Sequence, residues 1–342
     1  MKAQAGRVAL ICAMALAVVG AAAIITRFHA MAGDRTGGSV LKLVAEVSLP
    51  GPAVRFDYQN LDVKNGRLYI AHMNADQLVV FDTHTRQVIA NLDGFKRVHG
   101  VIAVPEIGRV FASVTGEHQM AAVDTNTLNI VGKAGPIDYP DGLAYAPAAN
   151  RVFVSDEHGE VDAVVDAQTN KLLTSIPLGG GAGNTVYDSA SGHILVAVHS
   201  VNEVVAIDPA AMKIVGRYRL PGIKNPHGIA LDEANRLAFI AGEENHSLAV
   251  FDLKSMKLLS VHEVGVDPDV LAFDAGLRRL YVSAESGTVT VLQEDGRDVR
   301  ALGQFYMPHA HTVSVDPETH LVYFPLENID RHPLLRIMAP VQ

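Results

Sequence analysis

The sequence predicts an all-β fold, a seven-bladed β-propeller with four strands in each blade. Two observations predict it. One short hydrophobic element recurs seven times at a nearly constant spacing, and one further strand stands alone ahead of the first copy. Units of four strands and about 40 residues are typical of propeller blades. The 342 residues, of which 49% are hydrophobic, are sufficient for the buried core that such a ring needs.

The first 32 residues differ in kind from the rest of the chain. Lys2 and Arg7 precede an unbroken apolar run of 18 residues, Val8–Ile25, and Ala30–Ala32 offers the small residues of a cleavage site. This pattern is typical of a secretory signal peptide. An uncleaved anchor is the alternative, because the apolar run is just long enough to span a bilayer. The expected location is therefore the periplasm or, for an anchored chain, the inner membrane facing the periplasm.

Cysteine use and charge exclude several classes of function. The only cysteine, Cys12, lies in the N-terminal segment, so the rest of the chain has no disulfide, iron–sulfur ligation or c-type haem attachment motif. Without that segment, 25 basic and 37 acidic residues leave a net charge of −12, which argues against nucleic-acid binding. The glycine-rich stretch GGGAG (179–183) lacks the rest of a phosphate-binding loop, so no nucleotide cofactor is expected.

The repeated element is a strand that contains one aromatic or large aliphatic residue, here called the mark. Its copies are GRLYIA (66–71), GRVFAS (108–113), NRVFVS (150–155), GHILVA (192–197), NRLAFI (235–240), RRLYVS (278–283) and HLVYFP (320–325). The marks are Tyr69, Phe111, Phe153, Leu195, Phe239, Tyr281 and Tyr323, and they are 42, 42, 42, 44, 42 and 42 residues apart. Period-2 alternation with turn residues between the runs predicts four short strands in each unit.

The two ends of the chain predict how the ring closes. The seventh unit finishes soon after LLRIMA (334–339), too early for a complete fourth strand, whereas SVLKLVAEVSL (39–49) is a strand without a unit. We expect the N-terminal strand to complete the last blade, because that pairing leaves no open sheet edge. The predicted organisation is a signal peptide or membrane anchor over residues 1–32, followed by a single propeller domain over residues 33–342.

The repeat resembles that of the YVTN-type β-propeller family, which includes YncE-like periplasmic proteins. The resemblance rests on LYIAHMNADQLVVFDTHTRQVIANL (68–92) and its copies, and it covers all seven units. It implies a propeller that binds a ligand or a partner. The chain departs from the family where the second strand usually carries Asn after YVA or YVS. These positions hold His72, Val114, Asp156, Val198, Gly242, Ala284 and Leu326.

One position in each unit predicts a ring of titratable side chains around the central channel. It lies twelve residues before the mark and holds Asp57, His99, Asp141, Gly183, His227, Asp269 and His311. Asn184 follows the glycine of the fourth unit. Because the first strand of each propeller blade lines the channel, we expect these side chains to lie at one height around its mouth.

Three imidazoles and three carboxylates on one axis suit three kinds of role. They can bind a cation, share protons with a bound ligand, or bond one another as a structural plug. Neutral His nitrogen and ionised Asp oxygen are ligands for zinc, iron, manganese or copper, so the candidate cofactor is a divalent transition metal. A seven-bladed channel is too wide for all six groups to reach one ion. The favoured subset is His227 and His311 with Asp269 between them.

Two further layers are predicted next to the ring. Two residues before the ring position come Arg55, Arg97, Tyr139, Gly181, Asn225, Asp267 and His309. The ends of the second strands add Met73, Thr115, Glu157, His199, Glu243, Glu285 and Glu327. Arg55 and Arg97, from adjacent blades, suit a carboxylate or phosphate, although solvated arginines are the plainer interpretation. The residues predicted to contact a small-molecule ligand are Arg55, Arg97, Tyr139, Asn184 and His309.

Three functions fit these features. The first is a periplasmic propeller that binds a small ligand or metal ion in its central funnel without necessarily transforming it. The second is a metal-assisted hydrolase or lyase, similar to propeller lactonases, that acts at the His/Asp ring. The third is a scaffold whose blade tops bind another envelope protein. Spacing alone does not decide whether the protein is an enzyme, because catalytic arrangements are recognised by geometry.

Overall fold

The computed structural model describes residues 40–341, which form seven antiparallel sheets of four strands arranged as a ring. The predicted seven-bladed propeller is confirmed. The predicted export segment, residues 1–32 with Cys12, lies outside the described residues. Between residues 40 and 341 there is no helix with the length and apolar character that a membrane crossing requires.

Blades 1 to 6 each consist of four consecutive strands. Blade 1 contains β2 (Gln59–Asp62), β3 (Arg67–His72), β4 (Gln77–Asp82) and β5 (Gln87–Asp93), and blade 2 contains β6 (Val98–Val104), β7 (Arg109–Val114), β8 (Gln119–Asp124) and β9 (Ile130–Ala134). Blade 3 contains β10 (Pro140–Ala146), β11 (Arg151–Asp156), β12 (Val161–Asp166) and β13 (Lys171–Pro177), and blade 4 contains β14 (Ala182–Asp188), β15 (His193–Val198), β16 (Glu203–Asp208) and β17 (Lys213–Arg219). Blade 5 contains β18 (Pro226–Asp232), β19 (Leu237–Gly242), β20 (Ser247–Asp252) and β21 (Lys257–Glu263), and blade 6 contains β22 (Pro268–Asp274), β23 (Arg279–Ala284), β24 (Thr288–Asp295) and β25 (Asp298–Tyr306). Short 3-10 turns occur at Met73–Ala75, Pro105–Ile107, Thr115–Glu117 and Pro147–Ala149.

Blade 7 joins the two ends of the described chain. It contains β26 (Ser314–Val315), β27 (Val322–Ile329), β28 (His332–Pro340) and, as its outer strand, β1 (Leu41–Ser48). The ladder between β1 and β28 is antiparallel and pairs Leu41 with Pro340 and Ser48 with Leu334. The expected completion of the last blade by the N-terminal strand is therefore confirmed.

The hydrophobic core is divided into seven layers, one between each pair of neighbouring blades. Every mark of the repeat is at most 2% exposed, from Tyr69 in blade 1 to Tyr323 in blade 7. Burial of one large apolar side chain contributes about 1.5–3 kcal/mol. The 42-residue period is thus the period of blade-to-blade packing, which explains why one large apolar residue recurs in each unit.

The first strands of the seven blades surround the channel. Each of β2, β6, β10, β14, β18, β22 and β26 contacts the next, and β26 contacts β2. In blades 2 to 6, the first strand carries one extra residue relative to the second strand. In blade 5 the extra residue falls between Pro226 and Ile229, at His227 and Gly228. A β-bulge redirects side chains, and here it falls at the ring position of each of these blades.

A buried carboxyl group away from the channel is poorly satisfied. Asp162 in β12 is 0% exposed. One of its oxygens accepts a 3.3 Å hydrogen bond from Thr185 Oγ1, and the other has no hydrogen-bond partner among the described residues. Burial raises the pKa of Asp162 to about 7, although Thr185 and the nearby Val154 backbone act in the opposite direction. The ionised form of this side chain therefore destabilises the fold.

The closure of blade 7 predicts the effect of truncation. Removal of residues 1–49 deletes β1, exposes the edge of β28 and uncovers the core side chains that pack against it. The free energy of unfolding is expected to fall by at least about 3 kcal/mol, measured by chemical denaturation. Removal of residues 1–32 is the control and should leave stability unchanged. Equal stability of the two truncated proteins would contradict the role of β1.

The buried Asp162 predicts a pH-dependent effect of Asp162→Asn. The pKa of this group is higher in the folded than in the unfolded protein, so its favourable contribution is complete below about pH 4 and is lost as the pH rises to about 7. The substitution should therefore stabilise the protein at about pH 8, by up to roughly 4 kcal/mol, and change it little at about pH 4. Denaturation of both proteins at each pH measures the difference. An effect of the same size at both pH values would contradict this assignment.

Candidate functional site: the central funnel

A polar cavity of about 380 Å³ lies on the channel axis, at the end where the first strands begin. We call this cavity the funnel. It is lined by Arg55, Asp57, Tyr58, Met73, Arg97, His99, Tyr139, Asp141, Glu157, His199, Asn225, His227, Glu243, Asp269 and Glu285. Five of the six titratable ring residues therefore share one cavity, and the sixth, His311, is buried against Asp269.

Asp269 connects two histidines from the blades on either side of it. Its Oδ1 lies 3.3 Å from His227 Nδ1, and its Oδ2 accepts a 3.0 Å hydrogen bond from His311 Nδ1. Each histidine also faces a glutamate: Glu243 Oε1 is 3.5 Å from His227 Nδ1, and Glu285 Oε1 is 3.7 Å from His311 Nδ1. The subset favoured by the sequence, His227 and His311 with Asp269 between them, is brought together.

The other side of the ring is satisfied by its own hydrogen bonds. His99 Nδ1 donates to the Arg97 carbonyl at 2.8 Å, which leaves Nε2 to accept a 3.1 Å hydrogen bond from the Tyr139 hydroxyl. Asp57 Oδ2 lies 3.7 Å from the same Nε2. Both nitrogens of His99 are thus occupied within the protein, and this half of the ring is less available to a ligand than the half around Asp269.

His199 takes the place of the ring side chain that blade 4 lacks. A Cβ atom added to Gly183 would lie 2.5 Å from His199 Nε2, so the imidazole occupies that space. The ring centroids of His199 and His227 are 4.9 Å apart. His199 Nε2 is buried and has no hydrogen-bond partner among the described residues. The ring is therefore complete, with an imidazole contributed by the residue that follows the second strand of blade 4.

Glycines allow the first strands to approach closely just past the ring. A Cβ atom on Gly100 would lie 2.0 Å from the Asp141 carbonyl oxygen, and one on Gly228 would lie 1.9 Å from the Asp269 carbonyl oxygen. Real Cβ atoms do not tolerate such contacts, so only glycine permits this packing of neighbouring first strands. The backbone that carries Asp141 and Asp269 is thereby held against the adjacent blade.

Tyr58 crosses the channel beneath the ring. Among the described residues, Tyr58 alone lines both the funnel and a second cavity of about 440 Å³. Most of the side chains that line the second cavity are apolar. Its ring centroid is 6.5 Å from that of His227, on the far side of the channel. The Tyr58 side chain is 8% exposed, and its hydroxyl is buried with no hydrogen-bond partner between residues 40 and 341. Tyr58 therefore forms the floor of the funnel and presents an unused polar atom there.

The residues predicted to contact a small ligand lie in different places. Arg97 and Tyr139 line the funnel, and Arg97 is exposed. Arg55 also lines it, but its guanidinium is bonded to both oxygens of Glu285, at 2.5 and 3.0 Å. Asn184 lines the second cavity, and His309 lies outside the funnel lining, paired with Glu327 at 2.7 Å.

Burial and the charges of neighbouring residues shift the pKa values of the ring residues in different directions. Burial lowers the pKa of His227, but Asp269, Glu243 and Asp141 outweigh burial and raise it to about 10. Burial raises the pKa of Asp269, but His227 and His311 hold it well below its usual range. Burial raises the pKa of Asp141, assisted by the neighbouring acids. Burial also raises the pKa of Glu243, to about 7. Of the three carboxyl groups beside His227, Asp269 is therefore the one that most readily carries the charge.

Two solved structures similar to the chain are both propellers. Virginiamycin B lyase from Staphylococcus aureus shares a TM-score of 0.73 at 13% identity, covering 88% of this chain and 100% of that one. Hydrazine synthase of Kuenenia stuttgartiensis gives a TM-score of 0.72 at 14% identity, covering 89% of this chain and 99% of that one. No protein-family model and no curated protein sequence matches the chain. At this identity the similarity establishes the β-propeller fold and not the activity.

Sequence reasoning missed the role of Tyr58 and the way in which His199 fills the ring. Tyr58 follows the ring position in blade 1, where other blades have Gly100, Gly142 and Gly228. A bulky aromatic residue at a position that is otherwise often glycine was the available signal. The presence of Gly183 in a ring of titratable residues was the corresponding signal for His199, since an absent side chain leaves space for another.

Proposed function

We propose that the funnel binds a divalent transition-metal ion together with a small polar ligand. The observation that carries the proposal is the set of unused polar atoms around His227. His227 Nδ1 lies 3.3 Å from Asp269 Oδ1 and 3.5 Å from Glu243 Oε1 but is not aligned for a hydrogen bond with either. His199 Nε2 and the Tyr58 hydroxyl have no hydrogen-bond partner among residues 40–341. In a structural plug, buried polar groups would satisfy one another. Here the half of the ring around Asp269 leaves several of them open.

The donor set around His227 fits a transition metal. Imidazole nitrogen with carboxylate oxygens is the combination that zinc, manganese and iron accept. For metal–ligand bonds of about 2.1 Å, neighbouring ligand atoms lie roughly 3.0–3.4 Å apart in octahedral or tetrahedral geometry. The distances from His227 Nδ1 to Asp269 and Glu243, 3.3 and 3.5 Å, are close to this range. His227, Asp269 and Glu243 would therefore hold the ion with little movement.

The surrounding residues support these ligands. His227 Nε2 lies 3.7 Å from Asp141, so the second ring nitrogen faces a carboxyl group, as in many metal-bound histidines. Asn225 Nδ2 donates to Glu243 Oε2 at 2.5 Å, which leaves Glu243 Oε1 directed at His227. The exposed Arg97 is available at the funnel wall for an anionic group of the ligand.

Membership of the YVTN-type family and a periplasmic location are part of the proposal. The 42-residue repeat supports the first, and the pattern of residues 1–32 supports the second. An exported chain with an excess of acidic residues fits a role in binding a metal ion and its ligand rather than a nucleic acid.

A metal-assisted hydrolase or lyase is the second candidate function. It is favoured by two groups near the proposed metal ligands that have no hydrogen-bond partner between residues 40 and 341. The Tyr58 hydroxyl can donate a hydrogen bond to a bound substrate. Burial and the neighbouring His227 lower the pKa of His199 to about 3, so its neutral Nε2 can accept a hydrogen bond from that substrate. A bound divalent ion would polarise a carbonyl or phosphoryl oxygen of that substrate. The similarity in fold to virginiamycin B lyase is compatible with such chemistry but carries no residue roles.

Metal binding by wild type and His227→Ala tests the main proposal. Calorimetry on chelator-treated protein is expected to show uptake of Zn²⁺ or Mn²⁺ by wild type. Loss of a residue that only supports a metal ligand lowers metal affinity roughly 10- to 100-fold. His227→Ala removes a ligand itself, so its metal affinity should fall by more than that. His309→Ala, which alters a histidine outside the funnel, is the matched control and should bind normally. Absence of uptake by wild type, with a large drop in melting temperature for His227→Ala, would identify the ring as a plug.

Turnover by Tyr58→Phe tests the second candidate. The metal-loaded wild type is expected to convert at least one member of a panel of lactones and esters. Loss of the Tyr58 hydroxyl should lower kcat by about 10²- to 10⁴-fold while metal affinity stays the same. Equal rates for the two proteins would exclude Tyr58 from the reaction, and no turnover by wild type would restrict the funnel to binding.

A further inference from the structure

Two groups of potential metal ligands meet at one carboxylate. His227, Glu243 and Asp269 place one ligand atom each within 4.8 Å of one another, and Asp269, Glu285 and His311 do the same. Asp269 belongs to both groups, and it uses a different oxygen in each: Oδ1 faces His227, and Oδ2 faces His311. The two groups are thus arranged on opposite sides of the Asp269 carboxylate.

The repeat explains this arrangement. His227 and Glu243, Asp269 and Glu285, and His311 and Glu327 are the same two positions in three consecutive blades, sixteen residues apart in each. Each group takes one histidine, one glutamate and the shared aspartate from two adjacent blades. Because neighbouring blades have the same backbone geometry, the second group largely repeats the first, one step around the channel.

In both histidines Nε2 faces another protein group, which leaves Nδ1 to face the shared Asp269 carboxylate. His311 Nε2 donates a 2.7 Å hydrogen bond to the Phe56 carbonyl, which fixes the ring and its orientation. His227 Nε2 faces Asp141 at 3.7 Å. Partners of this kind orient histidines that bind metal through the opposite nitrogen. The separation of His311 Nδ1 from Asp269 Oδ2, 3.0 Å, also matches that of two neighbouring ligands of one ion.

We propose that Asp269 bridges two divalent metal ions, one held by His227 and Glu243 and the other by His311 and Glu285. This inference rests on the proposed function, because it presupposes that the funnel binds metal. Carboxylate-bridged ions lie about 3.5–4 Å apart in two-metal sites, a spacing that one syn carboxylate with an ion on each oxygen permits. The buried Tyr58 hydroxyl on the funnel floor has no hydrogen-bond partner in the part of the chain that the structure describes, so it provides a polar contact for a ligand that spans both ions.

The two sites differ in charge. Arg55 forms a bidentate ion pair with Glu285, so a fixed positive charge lies beside the second site. The corresponding group at the first site is the neutral Asn225 amide, which donates to Glu243. Repulsion from Arg55 makes the site of His311 and Glu285 the weaker one. The ions are therefore expected to bind in two steps of different affinity.

Stoichiometry and magnetic coupling of Mn²⁺ test the bridge on the full chain. Chelator-treated wild type titrated with Mn²⁺ should bind two ions per chain. At saturation, its electron paramagnetic resonance spectrum should show the closely spaced hyperfine lines of an exchange-coupled pair. One ion per chain with an uncoupled spectrum would overturn the bridge and leave the proposed function standing. No bound ion would overturn both.

Variants assign the ions to their ligands. His227→Ala and His311→Ala should each bind one ion, without exchange coupling. Asp269→Asn should lose the spectrum of the coupled pair. Circular dichroism checks that each variant is folded. A coupled pair in folded Asp269→Asn would overturn the assignment of the bridge. Arg55→Met should tighten the weaker step by roughly tenfold, because it removes the neighbouring positive charge. An unchanged weaker step would overturn its placement beside Glu285.

Discussion

The close approach of neighbouring first strands is the constraint on which the channel depends. The bulge at the ring position places an extra residue against the second strand, and glycine beyond it lets the backbone of one blade contact the backbone of the next. Gly228 against the Asp269 carbonyl is the clearest case, because no other residue fits there. Blade packing brings the strands together, and this local geometry directs polar side chains to the axis instead of apolar ones.

A buried charge on the channel axis destabilises the fold unless it is paired. The two halves of the ring pair their charges differently. Around His99, protein groups satisfy the imidazole completely through Arg97 and Tyr139. Around Asp269, two histidines share one carboxylate, and further acids surround them, so the negative potential raises the pKa of His227. The same potential that holds protons on the histidines attracts a divalent cation, which competes with those protons for the nitrogens. This acidic environment supports the proposed cation site in the funnel.

The fold could be predicted from the sequence because the mark of each unit is a packing residue with a fixed period. The orphan strand before the first unit likewise predicted closure, since an incomplete blade requires a partner. The approximate ring was predictable for the same reason: Asp269 and His227 occupy equivalent positions in adjacent blades. The repeat could not predict Tyr58 crossing the channel or His199 entering the space at Gly183, because both depend on contacts between blades at positions where the units differ. The placement of Asn184 below the ring reflects the bulge, which shifts the residue after the ring position toward the second cavity.

The central claim is that the half of the ring around Asp269 is a metal site and not a self-satisfied polar plug. Anomalous X-ray scattering from crystals equilibrated with Mn²⁺ or Zn²⁺ tests this most directly, because it locates the ion without reference to activity. The account predicts anomalous density within bonding distance of His227 Nδ1 and Asp269 Oδ1. Crystals with metal-free density in the funnel, and with His227 bonded directly to Asp269, would contradict it.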